Sequence, residues 1–254
     1  MPDMPDMPDL LTKAIVTGHS RGLGEAIAEA LLLRGIPVLA LARRRNAALA
    51  ARFPGKLEEV ELDLADLAAV ERWLASDALQ RFSAGAGTLL LVNNAGMLQP
   101  VGALEQQDAG SIARAVSLNV ATPLMFAAAL AAAGSDAQAR RIVHVSSGAA
   151  RNAYPGWSIY CATKAALDHH ARAVALDASR ALRIASVAPG VVDTDMQGEI
   201  RATGLERFPL REKFHSLKRD GLLASPAQSA QKLVDYALSD AFGETPVADV
   251  RDLP

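Results

Sequence analysis

Tyr160 and Lys164 stand four residues apart in the stretch Tyr160-Cys-Ala-Thr-Lys164. On a helix that spacing puts both side chains on one face, one turn apart. An ammonium beside a phenol favours the phenolate and lowers the tyrosine pKa. A phenol so placed can give or take a proton near neutral pH. Near the N-terminus, Thr17-Gly-His-Ser-Arg-Gly-Leu-Gly24 follows one apolar run and opens another of helical type. Gly18, Gly22 and Gly24 meet three needs of a dinucleotide pyrophosphate: a tight turn, close backbone approach and a helix N-terminus aimed at phosphate. A proton donor and a dinucleotide cradle in one chain point to hydride transfer to or from a carbonyl.

The end of the second apolar run refines the cofactor. An NAD binder places Asp or Glu there, about 20 residues past the glycines, on the ribose 2′-hydroxyl. Here Ala42 is followed by Arg43, Arg44 and Arg45. Guanidinium groups suit a 2′-phosphate by charge and planar geometry. Arg21, inside the glycine turn, could reach the same phosphate. NADPH/NADP+ is therefore expected over NAD(H). Asp63, at the end of the third run, is placed to meet the adenine amino group.

These groups need a scaffold, and the hydrophobic pattern supplies one. Short apolar runs read as strands at Lys13–Thr17, Pro37–Ala42, Leu57–Leu62, Thr88–Asn93, Arg141–Ser146 and Leu182–Ala188, with a short last one at Pro246–Val250. Most are near-continuously hydrophobic, as strands covered on both faces are. Helical segments alternate with them at Leu23–Arg34, Asn46–Phe53, Leu67–Gln80, Ser111–Ala133 and Ile159–Ser179. That alternation predicts an α/β fold: a single Rossmann-like, doubly wound parallel sheet with helices on both faces. No linker divides residues 11–254. An excursion over about 194–223 breaks the pattern after the sixth strand and would cover the ligand edge of the sheet.

Bulk properties exclude several classes. The 254 residues suffice for one well-buried domain. A net charge of −2 offers no basic footprint for nucleic acid. The apolar runs are interrupted before the length a bilayer needs, so no membrane span is expected. The single cysteine, Cys161, excludes an intrachain disulfide and a cysteine-rich zinc site, and no metal site is read. Met-Pro-Asp repeated three times has neither the basic flank nor the apolar centre of a signal peptide, and residues 1–10 read as a disordered tail. A cytoplasmic protein is expected. His144 is expected within a buried strand. His169 and His170 are adjacent on a helix and point apart, so they share no metal. Cys161 faces away from Tyr160, towards the core.

Thr17–Gly24, Asn93-Asn-Ala-Gly96, Asn119, Ser147, Tyr160, Lys164 and Pro189-Gly190 together resemble the short-chain dehydrogenase/reductase family, in order, from Lys13 to about Val192. The resemblance implies Tyr160 as catalytic acid/base and Lys164 as the group that binds the nicotinamide ribose and lowers the tyrosine pKa. It implies Ser147, thirteen residues before Tyr160, as hydrogen-bond donor to the substrate oxygen, in preference to Ser146. It implies Asn119 as holder of a relay water. Cofactor contacts are implied for Gly18, Ser20, Arg21, Gly22 and Leu23; for Arg43, Arg44, Asp63 and Leu64; for Asn94, Ala95 and Gly96; and for Tyr160, Lys164, Pro189, Gly190, Val192, Thr194 and Met196. Thr194 would meet the nicotinamide amide. Family habit implies a homodimer or homotetramer, joined through the two long helices.

A narrower resemblance lies in the C-terminal third. Pro189-Gly-Val-Val-Asp-Thr-Asp-Met-Gln197, Leu217-Lys-Arg-Asp-Gly-Leu222, Ser229-Ala-Gln-Lys-Leu233 and the Phe242…Asp249…Asp252 spacing look like the sepiapterin reductase branch. That likeness implies an NADPH-dependent carbonyl reductase in which Asp249 anchors the aminopyrimidine edge of a pterin. Two alternatives remain open. One is a reductase of 1,2-diketones of the benzil type, or of other small carbonyls, with no pterin role. The other is a non-catalytic NADP-sensing protein, disfavoured because Asn119, Ser147, Tyr160 and Lys164 are all present.

Overall fold

The computed structural model describes residues 11–253 except 134–136, 138 and 178–180. The expected tail, residues 1–10, and the end of the helix expected to reach Ser179 lie outside the described residues. Seven parallel strands form one sheet: β1 (Thr12–Thr17), β2 (Val38–Ala42), β3 (Leu57–Glu61), β4 (Thr88–Asn93), β5 (Ala139–Val145), β6 (Leu182–Ala188) and β7 (Val247–Asp249). Their spatial order is β3-β2-β1-β4-β5-β6-β7, the expected doubly wound arrangement. Every residue of β2 is buried, which is why its sequence, VLALA, carries no polar alternation. The edge strand β3, LEEVE, carries three glutamates, as an edge that must avoid a second partner does.

Helices cover both faces. α1 (Gly22–Leu33) and α10 (Pro226–Leu238) close one face, over Ala14, Val16, Leu90, Val143 and Val187. α3 (Leu67–Leu74), α4 (Ala78–Ser83), α6 (Thr122–Ala133) and α7 (Ser158–Ala175) close the other, over Ile15, Leu39, Leu89 and Ile142. Phe126 of α6 is fully buried there, a contribution of about 1.5–3 kcal/mol. The short α2 (Ala47–Arg52) follows β2; its N-cap Asn46 accepts from the Leu49 amide. α5 (Ala109–Val116), α8 (Asp195–Ala202) and α9 (Arg211–Arg219) complete the set.

Two helices differ from expectation. Leu67–Gln80 is broken into α3 and α4 because the Ser76 hydroxyl bonds the Trp73 carbonyl and Asp77 starts a new helix. The segment expected at Ser111–Ala133 begins at Ala109, capped by Asp108, and widens into a π-type turn at Ser117–Ala121 between α5 and α6. As a continuous helical run, Ala109–Ala133 is long and apolar enough to cross a membrane by length and composition, with mean hydropathy 1.7, contrary to the expectation of no such segment. In the fold one side of it packs against β4, β5 and α7.

Candidate active site

The site forms where β1, β4, β5 and β6 end. β1 runs into Gly18 and Gly22, whose φ angles of 74° and 61° favour glycine. A Cβ on Gly24 would sit 2.0 Å from the Gly18 carbonyl oxygen, so helix and turn touch only without a side chain. The next strand end locks on: the amides of Asn94 and Ala95 donate to Thr17 Oγ1 at 3.0 and 3.1 Å, and Asn94 Nδ2 donates to the carbonyls of Thr17 and Gly18. Gly96 keeps the floor open; a Cβ there would lie 3.5 Å from Lys164 Nζ. Thr194, the N-cap of α8, closes the cradle across from Gly22, 3.5 Å from where a Cβ would stand. Pro189 is pinned by Ser229, whose hydroxyl donates to its carbonyl at 2.7 Å, and Gly190 turns with φ 77°. Val192 bridges to Ala224, and Met196 packs on the aromatic cluster beside Tyr160. Ser20 lies half-buried on the same turn, and Leu23 packs on the α1 side of the core. Bare backbone at a helix start, with no side chain in the way, fits a nicotinamide dinucleotide.

A second network, not foreseen, joins the glycine turn to the arginine loop. The fully buried His19 meets Glu59 Oε1 at 2.7 Å, and the same oxygen accepts the Asn46 amide at 2.6 Å. Arg43, Arg44 and Arg45 stand exposed beside it, and Arg45 lies 4.0 Å from Glu61. Arg21 is exposed, and its guanidinium donates to Asp195 at 2.7 Å. Asp63 is also engaged, accepting from the Ala65 amide and from Arg114 at 2.9 Å. Burial works to raise its pKa, but those hydrogen bonds hold the carboxyl below the usual range. Leu64 is buried and its carbonyl accepts from Thr122.

Tyr160 and Lys164 share one face of α7, as their spacing required, and both are buried. Ser147 starts a 3-10 turn at the end of β5; its hydroxyl accepts from the Ala149 amide, and it stands near enough to the Tyr160 phenol to act against the rise in that group's pKa. Lys164 Nζ donates to the Val145 carbonyl at 2.9 Å and lies 5.8 Å from the Tyr160 ring centre. The expected lowering of the tyrosine pKa is not found. Burial of the phenol pushes it up to about 12, opposed by Ser147. Burial likewise pulls Lys164 down to about 8, opposed by Asp168. Desolvation outweighs the lysine charge because the ammonium is turned to a backbone carbonyl. Asn119 sits in the π-type turn, a widening common at functional sites. Its Oδ1 accepts the Met97 amide, and its Nδ2 donates to the Met97 carbonyl and to Thr163. These bonds tie the π-type turn to the Gly96–Met97 loop.

An aromatic wall, missed in the sequence, backs the tyrosine. Trp157 stacks face to face on Phe208 at 4.6 Å, contacts Phe214, and meets Tyr160 edge-on at 5.6 Å. Phe208 and Phe214 come from the excursion after β6, so that segment roofs the site as expected. Asp249 ends β7, buried, in register with Ala188. Among the described residues no group of three or more His, Cys, Asp or Glu could hold a metal. His144 is buried as expected, and its two ring nitrogens meet Asn93 Nδ2 at 3.2 Å and His170 Nδ1 at 3.1 Å. Cys161 is partly buried, its thiol 3.7 Å from the Asn152 carbonyl.

Fold and site define a nicotinamide-dependent oxidoreductase with a serine, tyrosine and lysine gathered at the hydride site. The family model described as short chain dehydrogenase matches residues 12–204, and the chain belongs to that family. It is 32% identical over 235 residues to benzil reductase ((S)-benzoin forming) of Bacillus cereus, covering 90% of this chain and 94% of that one. It is 34% identical over 242 residues to sepiapterin reductase of Mus musculus, covering 90% and 92%. The crystal structure of a short-chain dehydrogenase/reductase from Burkholderia vietnamiensis superposes with a TM-score of 0.70 at 54% identity, covering 96% and 98%. The chain is a carbonyl reductase of this family, similar to both reductases.

Proposed function

We propose that the chain reduces one ketone of an aromatic 1,2-diketone, of the benzil class, with NADPH. NADPH supplies the hydride for the carbonyl carbon. Ser147 donates a hydrogen bond to the carbonyl oxygen and holds it against the phenol. Tyr160 delivers its proton to that oxygen as negative charge develops there. Lys164 stabilises the phenolate left behind until a proton returns from solvent. Trp157, Phe208 and Phe214, all buried, back the Tyr160 ring and exclude water from behind it. Arg43 and Arg44 take the 2′-phosphate. The observation that carries the reading is Ser147 set beside the Tyr160 phenol, with Lys164 one turn along the same helix face and the aromatic cluster behind the ring.

A pterin ketone is the second reading, favoured by the buried carboxylate of Asp249 at the ligand edge of the sheet. It stands second because Arg251 already fills that carboxylate with the donors a pterin edge would bring. A homodimer or homotetramer fits the apolar run Ala109–Ala133, of which only part is buried within one chain.

Nucleotide oxidation by the purified protein, with benzil and sepiapterin in parallel and with NADPH and NADH, tests both readings. NADPH-dependent benzil reduction is expected. Sepiapterin turnover that collapses in Asp249→Ala would establish the pterin reading instead, and no turnover of either substrate would overturn both.

A further inference from the structure

Asp168 lies one turn past Lys164 and two turns past Tyr160, on the same face of α7. It is a fully buried carboxylate. Oδ1 accepts from Ser146 Oγ at 2.6 Å and from Ser186 Oγ at 2.7 Å. Oδ2 accepts from Arg151 Nε at 3.2 Å, and Arg151 also donates to the Ala248 carbonyl at 2.8 Å. Burying a carboxylate is costly unless it is paired and hydrogen-bonded, and a neutral side chain would fill the space at less cost.

The partners it holds are not arbitrary. Ser146 immediately precedes Ser147, and Arg151 is the C-cap of the turn that Ser147 begins. One carboxylate therefore grips both ends of the segment that carries the substrate hydroxyl. Lys164 hangs from the carbonyl of Val145, the residue before Ser146. The groups facing Lys164 are Tyr160 and Asp168 from its own helix and His144 from β5; Arg151 faces Asp168 from the turn. Burial and the neighbouring cations hold His144 down to about 3, so it is neutral at pH 7. Asp168 is then the negative charge that Lys164 feels among these groups.

We propose that Asp168 is a positioning residue for the carbonyl reduction: by holding Ser146 and Arg151 it fixes Ser147 beside Tyr160, and it sets a buried carboxylate one turn from Lys164. The inference rests on Tyr160 and Lys164 handling the proton as proposed above. Burial already pulls Lys164 down to about 8, with Asp168 opposing that pull. Loss of the negative charge lets Lys164 and Tyr160 give up their protons at lower pH.

The test is the pH dependence of kcat for NADPH-driven diketone reduction by Asp168→Asn. Expected is a kcat lower by about tenfold or more, with an alkaline limb, which reports the coupled Tyr160–Lys164 pair, moved down by about one pH unit. KM for the diketone should move less than kcat. Arg151→Gln is the companion variant; it removes a cation beside Asp168, so its limb should move up. A limb at the wild-type position in both variants, whatever their Tm, would reduce Asp168 to a packing residue and overturn the proposal. If Asp168→Asn does not fold, the direction of the Arg151→Gln shift decides alone. Failure here is separable from failure of the reductase reading, because that reading falls only if the wild type turns over neither substrate or if Tyr160→Phe retains turnover.

Discussion

The Arg251 guanidinium grips both oxygens of the Asp249 carboxylate, Nε on Oδ1 at 2.9 Å and Nη2 on Oδ2 at 2.7 Å, and the Arg251 amide adds a third bond to Oδ1. Planar pairing of this kind is among the strongest that side chains make. Burial works to raise the Asp249 pKa, yet the Arg251 hydrogen bonds hold it below the usual carboxylate range. The carboxylate is therefore ionised and already satisfied. Removing the clasp by Arg251→Ala should leave kcat/KM for benzil within about threefold and lower KM for sepiapterin about tenfold, the effect of roughly 1.4 kcal/mol. Steady-state kinetics on both substrates check this. A large loss on benzil with no gain on sepiapterin would place Arg251 in diketone binding instead.

Cofactor choice should depend on the exposed arginine loop. Each charge-assisted hydrogen bond to a phosphate is worth about 1.5–3 kcal/mol. Arg43→Ala with Arg44→Ala should cut the NADPH-over-NADH preference by at least about tenfold, mostly through KM for NADPH. An unchanged preference would move the phosphate elsewhere, and Arg21 would first have to leave Asp195.

Acid should weaken the fold through a buried histidine. His144 titrates near 3 in the fold against 6.5 when free, because burial and the neighbouring His170 and Lys164 disfavour its charge. His170 is shifted the same way by burial. Between those values the unfolded chain binds more protons than the folded one, so this stability is present above pH 6.5 and is lost as pH falls towards 3. The slope from His144 is about 1.4 kcal/mol per pH unit. Urea unfolding of wild type and His144→Gln at pH 7, 5 and 4 should show a shallower decline in the variant. Parallel declines would assign acid sensitivity to other groups.

The glycine turn should tolerate no side chain at its helix. A Cβ on Gly24 would meet the Gly18 carbonyl oxygen at 2.0 Å and Asn94 Nδ2 at 2.4 Å, and the first of these is backbone. Gly24→Ala should lower stability by at least about 2 kcal/mol and abolish nucleotide binding, read by thermal melts with and without NADPH. A variant with wild-type Tm and binding would mean the turn relaxes freely.

What the sequence revealed and what it hid divide along one line. The strands were legible because β1, β2 and β4 are buried on both faces and so are written as unbroken apolar runs. Tyr160, Lys164 and the glycine turn were legible because helical spacing and a strand-to-helix junction are local. Features made by distant partners were not. The π-type turn at Asn119 depends on Met97 and Thr163, and the His144–His170 pair joins a strand to a helix. Trp157 and Phe208 stack across a 51-residue separation that no periodicity marks. The Arg21–Asp195 pair spans 174 residues and has no local mark either. Helical spacing reveals the lysine beside Tyr160 but not the depth of burial that pushes the phenol up.

The most direct test of the account is single-turnover reduction of benzil by Tyr160→Phe, with NADPH affinity measured by fluorescence on the same preparation. The phenylalanine keeps the ring against Trp157 and removes the proton. Turnover should fall by about 10²–10⁴-fold while NADPH affinity stays within about threefold of wild type. Turnover near the wild-type rate, with NADPH bound normally, would mean that another group protonates the carbonyl oxygen and would contradict the mechanism.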